Sequence, residues 1–397
     1  MVSVSEATAI IGSHLFSPAD ESVPVANALH RVLAAPVLAD RDFPPFNRVA
    51  MDGIAIQFEQ YDQGRTSFEV EGMAAAGVPQ KTLHDKKNCL EVMTGAPLPT
   101  HTDTVVRYED LKMEGSVATV VAPVSKPYQN IHPQGQDAKE NQVLLKEGTL
   151  VSPSEIAILT SVGKVDVLVR SCPRAAVVST GDELVDIGET PGPHQVRRSN
   201  SYALQAALKS LGCTARLFHL PDEQGAIRKE LSGILRDHDL VVLSGGVSKG
   251  KFDFVPEVLG QLGVQKHFHK VKQKPGKPFW FGGMGSKIVF ALPGNPVSTY
   301  MCFYRYIKPW LAKSWGLAEN AAHALLASDY SVQGDLTYFL QVNVVNEAGR
   351  LVAYPMTGGG SGDFANLKEV NAFLQLAEGK ATFKKGEACP IFHFRPW

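Results

Sequence analysis

An apolar run, Leu240 to Leu243, stops at Ser244-Gly245-Gly246. Ser248-Lys249-Gly250-Lys251 follows, and then Asp253 at the entrance of a helix-like segment, FVPEVLGQLG. A buried strand, a glycine-rich turn and a helix start make a cradle for phosphate, because backbone N–H groups point at the anion and glycine lets it come close. Asp253 adds a carboxylate that could hold a divalent cation such as Mg²⁺. The same turn has a purely structural use, since two glycines also serve backbone conformations that other residues avoid.

Other clusters stand at the ends of neighbouring apolar runs. They are Ser179-Thr180-Gly181-Asp182-Glu183, Leu220-Pro221-Asp222-Glu223 and Pro293-Gly294-Asn295-Pro296. Lys270, Lys274 and Lys277 lie in HKVKQKPGKP, just before another run. Single carboxylates in loops are ordinarily solvated caps, but here acids, glycines and lysines gather at comparable places. Lysines and backbone N–H groups neutralise anionic oxygens, while carboxylates hold a cation that takes up developing charge. Metal-assisted chemistry on a phosphate or phosphoanhydride, carried out by positioning and electrostatics, is the reading these residues support. The chain has no G-x-S-x-G, no Walker G-x₄-G-K-[ST] and no G-x-G-x-x-G, so the usual signatures of acyl transfer, P-loop hydrolysis and hydride transfer are missing.

The elements that must hold these residues follow from periodicity. From residue 171 to 316, apolar strands alternate with amphipathic helices, which predicts a doubly wound, mainly parallel sheet. In such sheets ligands sit at the carboxyl ends of the strands, near the topological switch point, and the polar clusters occupy those ends. Residues 46–131 read as a β-rich unit of short strands bounded by Gly and Pro. Asp52 and Thr94 stand at strand ends within it, where a turn or cap has equal use for them. Residues 1–45 and 132–170 read as an N-terminal helical and linker domain split by that insertion, with helices expected over Val4–Leu15, Val23–Leu33 and Pro153–Val162. Residues 317–397 read as a β-rich tail, with Thr357-Gly358-Gly359-Gly360-Ser361-Gly362-Asp363 as a loop rich in free N–H groups.

Bulk properties narrow the class. The chain has 397 residues, is 44% hydrophobic and 20% charged, and carries a formal net charge of −1. This composition fits a soluble protein of several domains without the basic field of a nucleic-acid binder. No apolar run approaches the ~18 residues of a membrane span, and the first residues lack the pattern of a signal peptide. Five scattered cysteines without a C-x-x-C pair fit free thiols in a reducing, cytoplasmic setting.

Taken together, the motifs resemble those of the MoeA-type molybdopterin molybdenumtransferases, the family of the gephyrin E domain. The resemblance rests on Ala50-Met51-Asp52-Gly53-Ile54-Ala55, Met93-Thr94-Gly95-Ala96-Pro97, Ser179-Thr180-Gly181-Asp182-Glu183-Leu184, Ser244-Gly245-Gly246-Val247-Ser248 with Gly250 and Asp253, Lys274-Pro275-Gly276-Lys277-Pro278 and Leu292-Pro293-Gly294-Asn295-Pro296-Val297-Ser298. They run in family order over about residues 1–370. The resemblance implies a central MogA-like, molybdopterin-binding α/β domain with a β-rich insertion, a helical linker domain and a C-terminal β-barrel-like domain. It implies insertion of molybdate into adenylylated molybdopterin, with release of AMP and need of a divalent cation such as Mg²⁺. Glu183, Asp222 and Asp253 would serve the cation and the anhydride. Ser244, Gly245, Gly246 and Ser248, with Thr180, Gly181, Asp182, Pro293 and Asn295, would hold the substrate and its phosphate. Lys270, Lys274 and Lys277 would neutralise phosphate or molybdate, and Ser361 would stand near molybdate. A homodimer is implied, in which Asp52 and Thr94 reach in from the partner subunit, and a molybdopterin adenylyltransferase is an implied partner.

The chain departs from the family pattern at three places. The family's N-[IV]-R-x-x-G-E-D reads Asn130-Ile131-His132-Pro133-Gln134-Gly135-Gln136-Asp137 here, and a tail arginine corresponds to Gln341. His132 and Gln341 stand where the family has arginine and so remove permanent positive charge near an anionic ligand, Gln136 stands where it has glutamate, and molybdate against tungstate is left open. Adenylyl transfer to molybdopterin, and a non-catalytic scaffold that keeps the fold, are the alternatives. The long regions flanking the α/β domain speak against the first, and the intact acids speak against the second.

Overall fold

The computed structural model describes residues 1–247, 254–318, 321–333, 335–356 and 358–395. Two compact units emerge, each described by itself. One comprises Met1–Ala34, Leu150–Ser152 and Val167–Trp397, the other Ala35–Thr149 and Pro153–Asp166.

The larger unit is built on a six-stranded sheet. Its elements are β1 (Ala175–Thr180), α1 (Ser199–Lys209), β2 (Ala215–Leu220), α2 (Gln224–Asp237), β3 (Leu240–Ser244), α3 (Val255–Gln261), β4 (Gln265–His269), β5 (Trp280–Met284), β6 (Lys287–Leu292) and α4 (Pro296–Cys302). The strand order is β2-β1-β3-β6-β5-β4. β2, β1, β3 and β6 are parallel, while β5 and β4 close the far edge as antiparallel neighbours. Alternation explains the two covered faces. Ala175 and Val177 point into one core with Leu204 and Leu208 of α1. Ala176 and Val178 point into the other with Leu231 of α2 and Leu259 of α3. With both faces buried, the strands read as continuous apolar runs.

Chain order reverses beside β1: β2 lies on one side of it and β3 on the other. The connections therefore leave in opposite directions, and a crevice opens above the carboxyl ends of β1 and β3. Ser179, Thr180 and Ser244 stand at that point.

The helix begun by α4 continues through a π-helical turn, Phe303–Ile307, into α5 (Lys308–Ser314). Pro309 lacks the N–H that would bond the carbonyl four residues earlier, and a wide turn at this place accommodates that loss. The tail then forms β7 (Ala322–Leu326), β8 (Thr337–Glu347), β9 (Arg350–Pro355), β10 (Ala372–Leu376) and β11 (Ala388–His393). Pairings β8-β9-β7-β11-β10-β8 close a five-stranded barrel around Val342, Leu374 and Ile391. Closure leaves these strands without a bare edge.

The first helix, Val4–Gly12, starts with a capping box between Ser3 and Glu6, and buries Val4, Ala7 and Ile11 in the sheet's core. The helix expected over Val23–Leu33 is absent: the chain there is the end of strand Asp20–Pro24 and one 3₁₀ turn, Val25–Asn27. Pro24 breaks the helical reading, since it cannot donate inside a helix and restricts Val23 to extended backbone.

In the second unit the strands Thr104–Arg107, Gly53–Ile56, Cys89–Val92, Ser67–Ala74, Val117–Val120 and Leu111–Glu114 form a sheet in that order. Ile54 and Ile56 pack on one face with Phe68 and Val106, and Ala55 packs on the other with Val92 and Val105. The expected helix at residue 153 is present as Pro153–Ser161. Among the described residues, no helix is long and apolar enough to cross a membrane.

Candidate active site at the strand-order switch

A cavity of about 960 Å³ opens at the switch point. Thr180 ends β1 and is 4% exposed. Its Oγ1 is buried and has no hydrogen-bond partner among the described residues. Beside it run Gly245 (φ +101°) and Gly246 (φ +69°). A Cβ at Gly245 would lie 2.9 Å from Thr180 O, and one at Gly246 would lie 2.9 Å from Thr180 Oγ1 and 2.7 Å from Val255 Cγ2. Glycine is thus required for both conformation and clearance. Gly245 N donates to Leu292 O (3.1 Å), so the turn closes onto β6, and beside it stands a hydroxyl without a partner among the described residues, which suits an anionic ligand better than a packed core.

Carboxylates frame the same opening. Glu183 and Asp222 both line the cavity, from the loops after β1 and β2. Asp182 Oδ1 accepts from Asp222 N (3.1 Å), which ties the two loops together. Glu183 folds back over Gly181, where a Cβ would meet its Oε2 at 2.3 Å. Two hard oxygen donors on adjacent strand ends suit a divalent cation. Among the described residues no group of three His, Cys, Asp or Glu side chains is gathered for a metal. Ser248 and Asp253, the remaining expected members, lie outside the described residues.

The opposite wall is the Pro293-Gly294-Asn295-Pro296 turn, which leads β6 into α4. Asn200, at the start of α1, fixes it: its Nδ2 donates to Ser244 Oγ (3.0 Å) and Gly294 O (2.7 Å). One amide thus joins β3, α1 and the β6–α4 turn. Ser361 arrives from the barrel. Its Oγ accepts from Asn295 Nδ2 (2.8 Å), and its carbonyl accepts from Val297 N (3.1 Å). Asp363 braces this loop by accepting from Gly359 N (2.7 Å). Gly362 and Phe364 complete the mouth. Gln341, on β8, lies beneath the same loop, with its Nε2 3.2 Å from where a Cβ at Gly358 would be.

Arg197 and Arg198 are the cations that line the cavity among the described residues. Arg198 is ion-paired with Asp186 (2.6 Å), whose carboxylate also accepts from Tyr202 OH (2.9 Å). Arg197 donates Nε to Glu189 O (3.1 Å) and is exposed. Neither was picked out by sequence reasoning, and neither was Asn200. The available signal was the run Arg197-Arg198-Ser199-Asn200 at a helix start.

The lysines lie elsewhere. None of Lys270, Lys274 and Lys277 is among the residues lining the cavity, although Pro278 is. Lys274 sits in a short strand paired with β8, its Nζ 5.6 Å from the Tyr338 ring centroid. Lys270 and Lys277 make backbone bonds within the β4–β5 connection.

Asp52 and Thr94 belong to the second unit and meet there. Asp52 Oδ1 accepts from Thr94 N (2.6 Å) and from Thr94 Oγ1 (2.7 Å). These two bonds, the backbone one first, hold the Asp52 carboxyl below its ordinary range. His132 bridges Arg48 Nη2 (3.2 Å) and Asp137 Oδ1 (2.8 Å). Gln136 N donates to Pro133 O (3.2 Å) in the turn that follows.

Comparison with known proteins accounts for the whole chain in order. Residues 2–163 match the MoeA N-terminal region (domain I and II), residues 176–313 a probable molybdopterin binding domain, and residues 323–394 the MoeA C-terminal region (domain IV). A molybdopterin molybdenumtransferase of Synechocystis sp. is 39% identical over 99% of this chain and 100% of its own length. The enzyme of that name from Haemophilus influenzae is 31% identical over 96% of this chain and 95% of its own. A crystal structure of a molybdopterin biosynthesis MoeA protein from Pyrococcus horikoshii covers 99% of this chain and 100% of its own, at 29% identity and a TM-score of 0.83. Fold, motif order and near-complete alignment agree: the chain belongs to the MoeA-type molybdopterin molybdenumtransferase family.

Proposed function

We propose that this protein inserts molybdate into adenylylated molybdopterin and releases AMP. The observation that carries the reading is the Thr180 hydroxyl, without a partner among the described residues, beside the Gly245-Gly246 turn on a rim that also presents Glu183 and Asp222. The names of the relatives support the same chemistry. In this reading the Gly246 N–H and the Thr180 hydroxyl bind phosphate oxygens, while the Gly245 N–H holds the turn against Leu292 O. Ser244, Gly181, Asp182, Pro293 and Asn295 shape the walls against which the substrate lies. Arg197 neutralises phosphate charge from solvent, and Ser248, outside the described residues, is assigned to the same phosphate.

Glu183 and Asp222, joined by Asp253, would hold a divalent cation such as Mg²⁺, and all three offer the carboxylate oxygens such an ion prefers. When bound, the cation supplies positive charge to the anhydride as its bond to AMP breaks. Ser361 and the Lys270, Lys274 and Lys277 segment are assigned to the molybdate end. Asp52 and Thr94 are assigned to a partner subunit's site in a homodimer, with a molybdopterin adenylyltransferase delivering the substrate and the reaction running in the cytoplasm.

The test is AMP release from adenylylated molybdopterin with and without molybdate. Release that depends on molybdate and on a divalent cation supports the proposal. Adenylylation of free molybdopterin from ATP, or no AMP release under either condition, overturns it.

A further inference from the structure

A second cavity, of about 470 Å³, lies between the C-terminal end of α1, the π-helical turn and the end of β11. Phe303, Tyr304 and Phe394 provide aromatic walls, and Lys308, His393 and Arg395 provide nitrogen. Among the described residues, no Asp or Glu lines it.

Lys308 is the informative group. It begins α5, just beyond the widened turn, and faces inward. Among the described residues no carboxylate lies within ion-pairing distance of it, and its Nζ instead stands 5.6 Å from the Tyr304 ring centroid. Burial pushes the Lys308 ammonium below its ordinary range. Burial first, and the Lys308 charge second, push His393 down to about 4. Partly buried cations are ordinarily paired, and a ring face compensates an ammonium only in part. Arg395 is anchored: its Nη1 donates to Lys368 O (2.9 Å) and Val370 O (3.1 Å).

The rings are ordered as a wall. Tyr304 and Phe394 have centroids 5.8 Å apart, and Tyr300 packs edge-on against both, at 4.9 and 5.1 Å. A cavity of this size, with apolar rings, the half-buried Lys308 ammonium and Arg395 at its wall, matches a flat organic anion. A bare inorganic anion would leave the rings unused.

We propose that this cavity binds a small aromatic carboxylate, whose carboxylate pairs with the Lys308 ammonium and whose ring lies against Tyr304 and Phe394. The site is independent of the cavity at the strand-order switch, and the proposal does not rest on the assigned reaction.

Benzoate is the probe, with benzyl alcohol and acetate as partial mimics. Binding to the full chain is followed by calorimetry and by ligand-detected NMR. Saturable benzoate binding is expected, at least about tenfold tighter than either mimic, which corresponds to ~1.4 kcal/mol. Lys308→Met keeps the side-chain length and should lose about tenfold in benzoate affinity. Ser210→Trp, at the exposed mouth, should block binding while Lys308 remains. Parental thermal stability and parental AMP release in both variants show that the fold survives. Absence of saturable binding, equal affinity for benzyl alcohol, or affinity within twofold of the parent in both variants overturns the proposal. A benzoate molecule in the switch-point cavity alone would do the same.

Discussion

Thr180 is buried, polar and unpartnered among the described residues, a state that weakens a fold unless a ligand makes use of it. Thr180→Val keeps the shape and removes only the hydroxyl. Thermal stability should therefore hold or rise slightly, while the KM for adenylylated molybdopterin in AMP release rises about tenfold, as one lost hydrogen bond to a charged ligand implies. A loss of stability with unchanged KM would show that the hydroxyl serves packing alone. Asp52 offers a test in pH. Its folded pKa is depressed by the two Thr94 bonds, so the stability it contributes is complete above its ordinary value of 3.8 and disappears as pH falls through the lower folded value. Thr94→Val removes the hydroxyl bond and leaves the backbone one. The Asp52 carboxyl should then titrate at higher pH, though still below its ordinary value, as read by carboxyl-carbon NMR. Residues of this kind were legible early, because glycines, acids and a threonine at strand ends announce themselves by type. Arg197 and Asn200 did not. A cation on a loop looks solvated in sequence, and only the fold shows that Asn200 stands opposite both Ser244 and Gly294. The lysines are a different case: their run suggested an anion site, and none of the three is among the residues lining the cavity.

At the scale of elements, the β3–α3 connection concentrates the constraint. Gly246 has φ +69° and Val255 Cγ2 close above it, so Gly246→Ala adds both backbone strain and a clash. A loss of about 1–3 kcal/mol is expected, read as a lower melting temperature together with loss of phosphate binding. Gly260, inside α3, provides the contrast. Its φ is not positive and a Cβ there meets open space, so Gly260→Ala should stabilise by about 0.5–1 kcal/mol. If the two variants moved stability in the same direction, the strain argument would fail. The same contrast explains what periodicity could reveal. β1, β3 and β6 are buried on both faces and read as unbroken apolar runs, so the parallel sheet was visible before its order was known. Barrel closure was not visible as such, because it depends on β8 pairing with both β9 and β10, contacts far apart in sequence. The false helix at Val23–Leu33 shows the converse: apolar spacing suggested it, and Pro24 prevented it.

For the whole molecule, the open assignment is where Asp52 and Thr94 act. They sit in a unit separate from Glu183 and Asp222, and the proposed homodimer gives them to the partner subunit's cavity. A twofold interface presents the same surfaces reciprocally, and this makes the assignment testable by complementation. Asp52→Asn and Glu183→Gln should each reduce molybdate-dependent AMP release to a small residue. In a dimer of one Asp52→Asn subunit and one Glu183→Gln subunit, one cavity receives an intact Glu183 from its own chain and an intact Asp52 from its partner. The other cavity receives neither. Random assortment makes about half of the dimers mixed, so co-refolded equal amounts should recover about a quarter of parental activity. If instead Asp52 serves the cavity of its own chain, every cavity in the mixture lacks one of the two residues and recovery stays at the level of the single variants. Size-exclusion chromatography with light scattering, run on the same samples, establishes that mixed dimers formed. Recovery near a quarter assigns Asp52 across the interface, and recovery at baseline from assembled mixed dimers returns it to its own subunit.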